Sequence, residues 1–481
     1  MQLILRARFV IICILLCGAS LSKASPTPDF RVRLTSAPQN LNWNSATTGS
    51  EGAVILNVME GLFEQKKQKP QPMLAKSFQW SKDGLTLDIE LHSGIKWADG
   101  TPLQAKHFID SFENLLNPST NSPNASLLFD IESAKDYFLG KAKSFQQVGV
   151  KATSSTHLTL KFKEPRINFL SVLTHWPTFP YRKDKPTMTL GPYEITNQNP
   201  ITLETNSHYH GTKPQIPKVI FEVIPDGKLA LESFQKNELE YLLHVEDENN
   251  LPGVGFAEPI RVVALLHFNP LRTRTNSPEI RRAIMKLIPL DALLAADPHT
   301  RLAAKNLLPM LAQDLGVGAA KGTLGKIPDS SLTLGYPNDE LSRSVANTIQ
   351  SASHQIKIKI EPLPSAYGAA KRYDLVLSFF GLDYSEPDQF FSAFFAQGGL
   401  DLFDVSSPEL VQIIQNARFS SGEQQRLKLY DEAADYLQNK LSIVMPLFYR
   451  RRAFLLSPKF TQSPGDFGSP QITKISVKKT R

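Results

Sequence analysis

The chain has 481 residues, with 53 lysines and arginines against 46 aspartates and glutamates, for a formal charge of +7. Charge this mild and interspersed leaves no footprint for nucleic acid, and a chain this long exceeds what one hydrophobic core usually covers, so two lobes or more are expected. Both cysteines, Cys13 and Cys17, lie within the first 24 residues. Once those are removed, disulfides, thiolate catalysis and cysteine-ligated metal are excluded.

Arg6 and Arg8 precede an unbroken apolar run from Phe9 to Leu16 and then small residues, which predicts a secretory signal peptide over 1–24, too short to span a bilayer stably. Ser22 and Ala24 fit the small-x-small rule for cleavage after Ala24. Cys17 makes lipidation and a lipid-anchored product the competing reading, although a lipobox wants a small residue where Leu16 stands. No later segment reaches transmembrane length, so a soluble exported product is expected.

Residues 73–116 string two turns, a strand and a helix together in a fixed order. Asp83-Gly84 and Asp99-Gly100 each supply the positive φ of a tight turn, and Leu87, Ile89 and Leu91 alternate with Thr86, Asp88 and Glu90 as in a half-buried strand. After Pro102 the period lengthens: Phe108, Ile109, Phe112, Leu115 and Leu116 share one helical face, with Lys106, Asp110 and Glu113 elsewhere.

Further on, residues 157–163 alternate Leu158, Leu160 and Phe162 with polar neighbours, and residues 218–224 are apolar on both faces, as a covered strand would be. Residues 245–259 are polar and turn-rich and read as a link between lobes. Ser277-Pro278-Glu279 supplies an N-cap, a proline at the first helical position and an acid in the first turn, and Ser407-Pro408-Glu409 repeats the device. Ser421 with Gln424 predicts a capping box before the apolar stripe Leu427, Tyr430, Ala434, Leu437 and Leu441. Pro446 stops any helix, and a strand returning to the first lobe is the natural sequel. Strands and helices are mixed throughout, without repeats, so the fold class is α/β or α+β.

The segment 73–116 resembles the signature region of the family 5 extracellular solute-binding proteins, the receptors for peptides, nickel complexes and related cargo of ABC importers. Other pieces follow in the family's order. "VMEGLFE" at 58–64 is similar to its Tyr-Glu-Gly-Leu helix, "GPYEI" at 191–195 to its Gly-Pro-Tyr strand, and "TNSHYHG" at 205–211 to its Asn-Pro-x-Tyr-Trp turn. "LLHFNP" at 265–270, "EIRRAIMKLIPLDAL" at 279–293 and "YDLVLSFFGLDYSEPDQFF" at 373–391 resemble its Asn, Arg-x-Ala and Trp-x-x-Asp-Tyr-x-x-Pro segments. There are departures. Gln104-Ala105-Lys106-His107 stands for Thr-Ala-x-Asp, Leu41-Asn42-Trp43 for Leu-Asp-Pro, and Phe380 for the motif tryptophan, while 316–331 lacks the helix usual before "LTLGY".

The resemblance implies an α/β, two-lobed periplasmic-binding-protein fold with a hinge of two connecting strands and an additional N-terminal subdomain. The first lobe would comprise 25–45, 171–260 and 446–481, its subdomain 46–170, and the second lobe 261–445. It implies a monomeric periplasmic receptor that holds a short peptide between the lobes and passes it to an inner-membrane ABC transporter permease, with no cofactor and no nucleic acid. A nickel-complex, haem or other small-solute receptor, or an exported peptidase, are the alternatives.

In peptide-binding members the residue matching Asp383 pairs with the ligand's ammonium group; Tyr384, Phe380 and Trp43 are expected beside it. From the residues alone, Asp383 ends a long apolar run, where a carboxylate needs a cation or several hydrogen bonds, yet Asp383 or Ser385 could instead cap the helix of "EPDQFFSAFF". His208 and His210 lack the further ligands of a closed metal site and read as packing. Gly316, Gly318 and Gly322 do not make a phosphate loop, because Ile327 follows Lys326 where Ser or Thr is needed. The basic runs Arg450-Arg451-Arg452 and 478–481 read as solvated faces. Gly-x-Ser-x-Gly and His-Glu-x-x-His are both missing, so no enzyme is expected.

Overall fold

The computed structural model describes residues 29–67, 69–166, 168–243, 254–311, 323, 325–326, 331–364, 369–382, 384, 386–395, 402–403, 407–463 and 471–478. The signal peptide, the 316–322 glycines, Asp383 and Ser385 lie outside them.

Strand β1 (Phe30–Leu34) leads into helix α1 (Gly49–Val58). Thr48 caps α1 by accepting from Glu51 N at 3.2 Å, and the Glu51 carboxylate answers by accepting from Thr48 N at 2.9 Å and Thr47 N at 2.8 Å. The capping box therefore satisfies donors that an open helix end leaves bare.

The next segment folds as its periodicity predicts. Asp83 Oδ1 accepts from Leu85 N at 3.0 Å while Gly84 takes φ +71°, turning the chain into the strand Thr86–Leu91, whose Leu87, Ile89 and Leu91 are all buried. That strand pairs with Ala75–Trp80 on one side and His157–Lys161 on the other, and Val150–Ala152 completes a four-stranded sheet. Helix α2 (Lys106–Leu116) buries Phe108, Phe112, Leu115 and Leu116. These side chains, β1 and α1 belong to one hydrophobic core.

The second sheet runs through the whole molecule. From one edge its order is Ile358–Pro362, Leu332–Tyr336, β4 (Leu375–Gly381), β3 (Val254–Phe268), β5 (Val444–Leu456), β2 (Tyr241–Leu243), β1, Lys218–Val223, Ile201–Thr205 and Tyr193–Gln198. At the first edge it packs two further cores, one with the helix Glu340–Ala352 and one with helices α3 (Asp388–Phe395), α4 (Pro408–Phe419) and α5 (Glu423–Asp435). The fold is α/β with two lobes.

Strands β3 and β5 run side by side from one set of cores to the other. The start of β3 pairs with Ala453, Phe454 and Leu455, beside β2; its end pairs with β5 residues 444–450 and with β4. Between Ala257 and Val262 the ladder shifts register: β3 advances five residues while β5 moves only from Arg452 to Arg450. Such an irregularity bends and twists a ribbon locally, as a hinge requires.

Four expectations need correcting. Residues 254–259 are strand rather than turn, because 254–257 pair with β5. Arg450, Arg451 and Arg452 are half-buried in the crossing strand, not a solvated face. The strand Lys218–Val223 buries fully only the face of Val219 and Phe221, while Val223 is 45% exposed. Ser421 does not cap α5: extended backbone persists through Gly422, which takes the N-cap position without a side-chain bond, and a π-helical turn at Tyr436–Lys440 ends the stripe. Ser277 and Ser407 do cap their helices, accepting from Ile280 N and Leu410 N.

Candidate functional site

Strand β4 runs through the interior and delivers the chain to the junction of the two lobes. Phe380, its penultimate residue, is 9% exposed and meets Phe390 edge-on at 5.2 Å in the second-lobe core. Tyr384, four residues later, is 2% exposed and belongs to the first-lobe core, its ring 6.2 Å from that of His175. Phe380 thus lies in one core and Tyr384, four residues on, in the other. Gly381 leaves its neighbourhood open: a Cβ there would meet only Arg452 Nη2, at 3.5 Å. The run of arginines therefore brings a guanidinium to the end of β4.

Trp43 lies in the first-lobe core. It is 2% exposed, donates from Nε1 to Phe179 O at 3.3 Å and packs edge-on against Tyr181. With Leu41, Val54 and Ile55 it lines a first-lobe cavity of about 380 Å³. Trp43 and Tyr384 share a core, whereas Phe380 lies in the other.

The first-lobe side of the junction carries an aromatic pair that sequence reasoning passed over. The rings of His175 and Trp176 are 4.2 Å apart, and Trp176 Nε1 donates to Ala46 O at 3.3 Å. The Trp176 ring lies 3.1 Å from the position of a Cβ on Gly52, so α1 needs glycine there. Adjacent bulky rings in "THWPT", just ahead of a proline, were the available signal.

Just beyond Tyr384 the junction becomes ionic. Arg166, 1% exposed, donates from Nε to Asp130 Oδ2 at 2.8 Å and from Nη2 to Asp388 Oδ2 at 2.5 Å. Its Nη1 donates to Asn168 Oδ1. Arg418 donates from Nη2 to Asp130 Oδ2 at 2.8 Å, and its Nε lies 2.8 Å from Asp388 Oδ1 as a charge contact rather than an aligned hydrogen bond. Tyr430 donates its hydroxyl to Asp388 Oδ1 at 3.1 Å. Burial opposes charge on Asp388, yet the Arg166 and Arg418 guanidiniums outweigh it and hold the carboxyl down to about 2. Nearby, burial pushes Glu386 up despite its two contacts with Arg426 at 3.1 and 3.3 Å.

The two histidines of the 205–211 turn face separate partners. His208 Nδ1 lies 3.0 Å from Ala98 O, while His210 Nε2 and the Tyr209 hydroxyl each reach the Glu60 carboxylate at 2.6 Å. Among the described residues no group of three or more His, Cys, Asp or Glu could hold a metal, and no helix is long and apolar enough to cross a membrane.

Residues 69–401 match the family described as "Bacterial extracellular solute-binding proteins, family 5 Middle". The chain belongs to this family. It is 24% identical over 94% of both chains to the dipeptide-binding protein of Lactococcus lactis. Among solved structures, the Escherichia coli murein tripeptide binding protein MppA superposes with a TM-score of 0.81 at 19% identity, covering 95% of this family 5 chain and 99% of its own. Haemophilus influenzae OppA, solved in complex with RPPGFSPFR, gives 0.77 at 19% identity over 94% and 100%. At such identities the two structures establish a shared two-lobed fold.

Proposed function

We propose that this protein is a periplasmic receptor that encloses a short peptide between its lobes and delivers it to an inner-membrane ABC transporter permease, acting as a monomer and without catalysis. The observation that carries this reading is the segment 380–384, which is pinned in one core by Phe380 and in the other by Tyr384. A ligand bound there touches both lobes, and such a ligand favours the closed form. Family membership and similarity along nearly the whole chain to proteins named for dipeptides and murein tripeptide support peptide as the cargo. Export by the signal peptide over 1–24 and the division into 25–45 with 171–260 and 446–481, a subdomain 46–170 and a second lobe 261–445 are part of the same proposal. The test is to denature purified protein and weigh what it releases: short peptides are expected, and a haem or metal complex instead would replace the peptide reading.

Within that reading Asp383 anchors the peptide's free amino end. Truncating one partner of a buried charge-assisted pair typically costs about 2–5 kcal/mol, so Asp383→Asn should weaken binding at least about thirtyfold. N-acetylating the peptide should cause a similar loss on the native protein and little more on the mutant, since both remove one interaction. Calorimetry on the four combinations decides, and equal affinity for free and acetylated peptide would return Asp383 to the role of a helix cap.

A further inference from the structure

Asp130, Arg166, Asp388 and Arg418 close into a ring in which each arginine touches both aspartates and each aspartate touches both arginines. The halves of the ring come from different cores. Asp130 and Arg166 flank the bridge Ile131–Phe162, whose side chains lie in the first-lobe core. Asp388 and Arg418 sit on α3 and α4 beside Phe390 and Ala417 of the second. Two contacts are internal to a half, Arg166–Asp130 and Arg418–Asp388, both 2.8 Å; two cross the junction, Arg166–Asp388 at 2.5 Å and Arg418–Asp130 at 2.8 Å.

This division governs what opening costs. A buried ion pair separated into lone charges is strongly penalised, because each charge keeps its desolvation cost without its partner. Here each half carries one positive and one negative group already in contact, so parting the lobes leaves two neutral pairs. What is lost is only the pair of cross-junction contacts, which are charge-assisted and well placed for strength. Such an arrangement favours closure yet reopens without stranding a charge. The exposed contact Lys69–Glu423, 3.7 Å at the rim, adds little.

We propose that this ring is a reversible latch between the lobes, and that its four residues set ligand affinity as positioning residues by fixing how much of the protein is closed. The proposal rests on the hinge-closing receptor reading above, but its first readout needs no ligand. The latch differs from the amine anchor in partner: its groups are satisfied by one another and by Asn168 and Tyr430.

The experiment compares native protein with Arg166→Gln, Asp388→Asn and the double variant by small-angle scattering without ligand, then by trialanine binding kinetics. Expected are a larger radius of gyration for each single variant without ligand, and trialanine release faster by about ten- to a hundredfold with association changed by no more than about threefold. The double variant should resemble the singles rather than add to them, since all lose the same cross-junction contact. Should either buried variant fail to fold, Arg418→Gln, at a side chain 24% exposed, removes the other crossing contact, Arg418–Asp130, and should likewise raise the radius of gyration without ligand. Unchanged scattering and release with a lowered melting temperature would overturn the latch and leave the ring a purely structural cluster. If trialanine fails to bind the native protein, the peptide reading suffers, and ligand-free scattering still decides the latch.

Discussion

Single residues in this protein are tuned by burial more than by exposed charge. His267 is fully enclosed between β3 and β4, with Nε2 2.7 Å from Ser378 Oγ, and burial lowers its pKa to about 3. His107 is lowered to about 4, first by burial, and its Nδ1 accepts from both Trp97 Nε1 and Gln104 N, bonds that require a bare nitrogen. The sign follows: unfolded chains protonate near 6.5 while the folded state resists, so stability is lost as pH falls from about 6.5 toward these lower values. From His267 alone the loss between pH 7 and pH 4.5 should be roughly 2–3 kcal/mol, at about 1.4 kcal/mol per pH unit. Urea unfolding at the two pH values checks this; His267→Gln should flatten the dependence, and a wild-type stability flat to pH 4.5 would contradict it. Neither histidine shows this role in the sequence, because a lone histidine carries no mark of its surroundings. Arg166 and Asp388 are silent for the same reason, being 222 residues apart in the chain.

At the scale of elements, local chemistry was legible wherever a short-range signal decides the backbone. The strand over Leu87–Leu91, helix α2 and the caps at Ser277 and Ser407 all follow from nearest-neighbour pattern. Ser421 failed because the Ser-x-x-Gln spacing says nothing of where the preceding chain turns helical, and Gly422 holds it extended for one residue more. Residues 254–259 failed because their pairing partner lies some two hundred residues away, beyond any local window. The capping box on α1 offers a quantitative check. Thr48→Ala removes the acceptor for Glu51 N and should cost about 1 kcal/mol, near the middle of the range for such caps. Glu51→Ala should cost more, since its 3%-exposed carboxylate also serves Asn40 N and Thr47 N. Denaturant midpoints of the two variants would test the order, and equal losses would mean that the carboxylate contributes nothing beyond the cap.

On the scale of the whole molecule, the two lobes were expected from length and from family resemblance, and the structure realises them as separate cores joined by β3 and β5. The site was half legible: the motif ending at Tyr384 marks the junction, whereas His175, Trp176 and the ionic ring are assembled from distant segments. Closure should be visible without labels. All four tryptophans precede residue 177, and Trp176 alone stands beside the Tyr384 contact, so ligand-linked fluorescence changes should disappear in Trp176→Phe while the scattering change persists. A radius of gyration unmoved by saturating trialanine in the native protein would count against hinge motion.

The way β5 is inserted carries a further consequence, for the order in which the molecule can assemble. First-lobe strand β2 lies between β1 and β5, pairing with Leu456, Leu455 and Phe454, and Asn57 Oδ1 accepts from Ile472 N across 415 residues of chain. The lobe that begins the polypeptide thus cannot finish until its last tenth has been made, while the second lobe is bracketed between β3 and β5 and matures inside it. Contacts so remote in sequence form slowly, because the loop must close before they reward it. On the export proposed above, a nascent chain built this way would stay open until synthesis is nearly over and so remain threadable through a translocation pore.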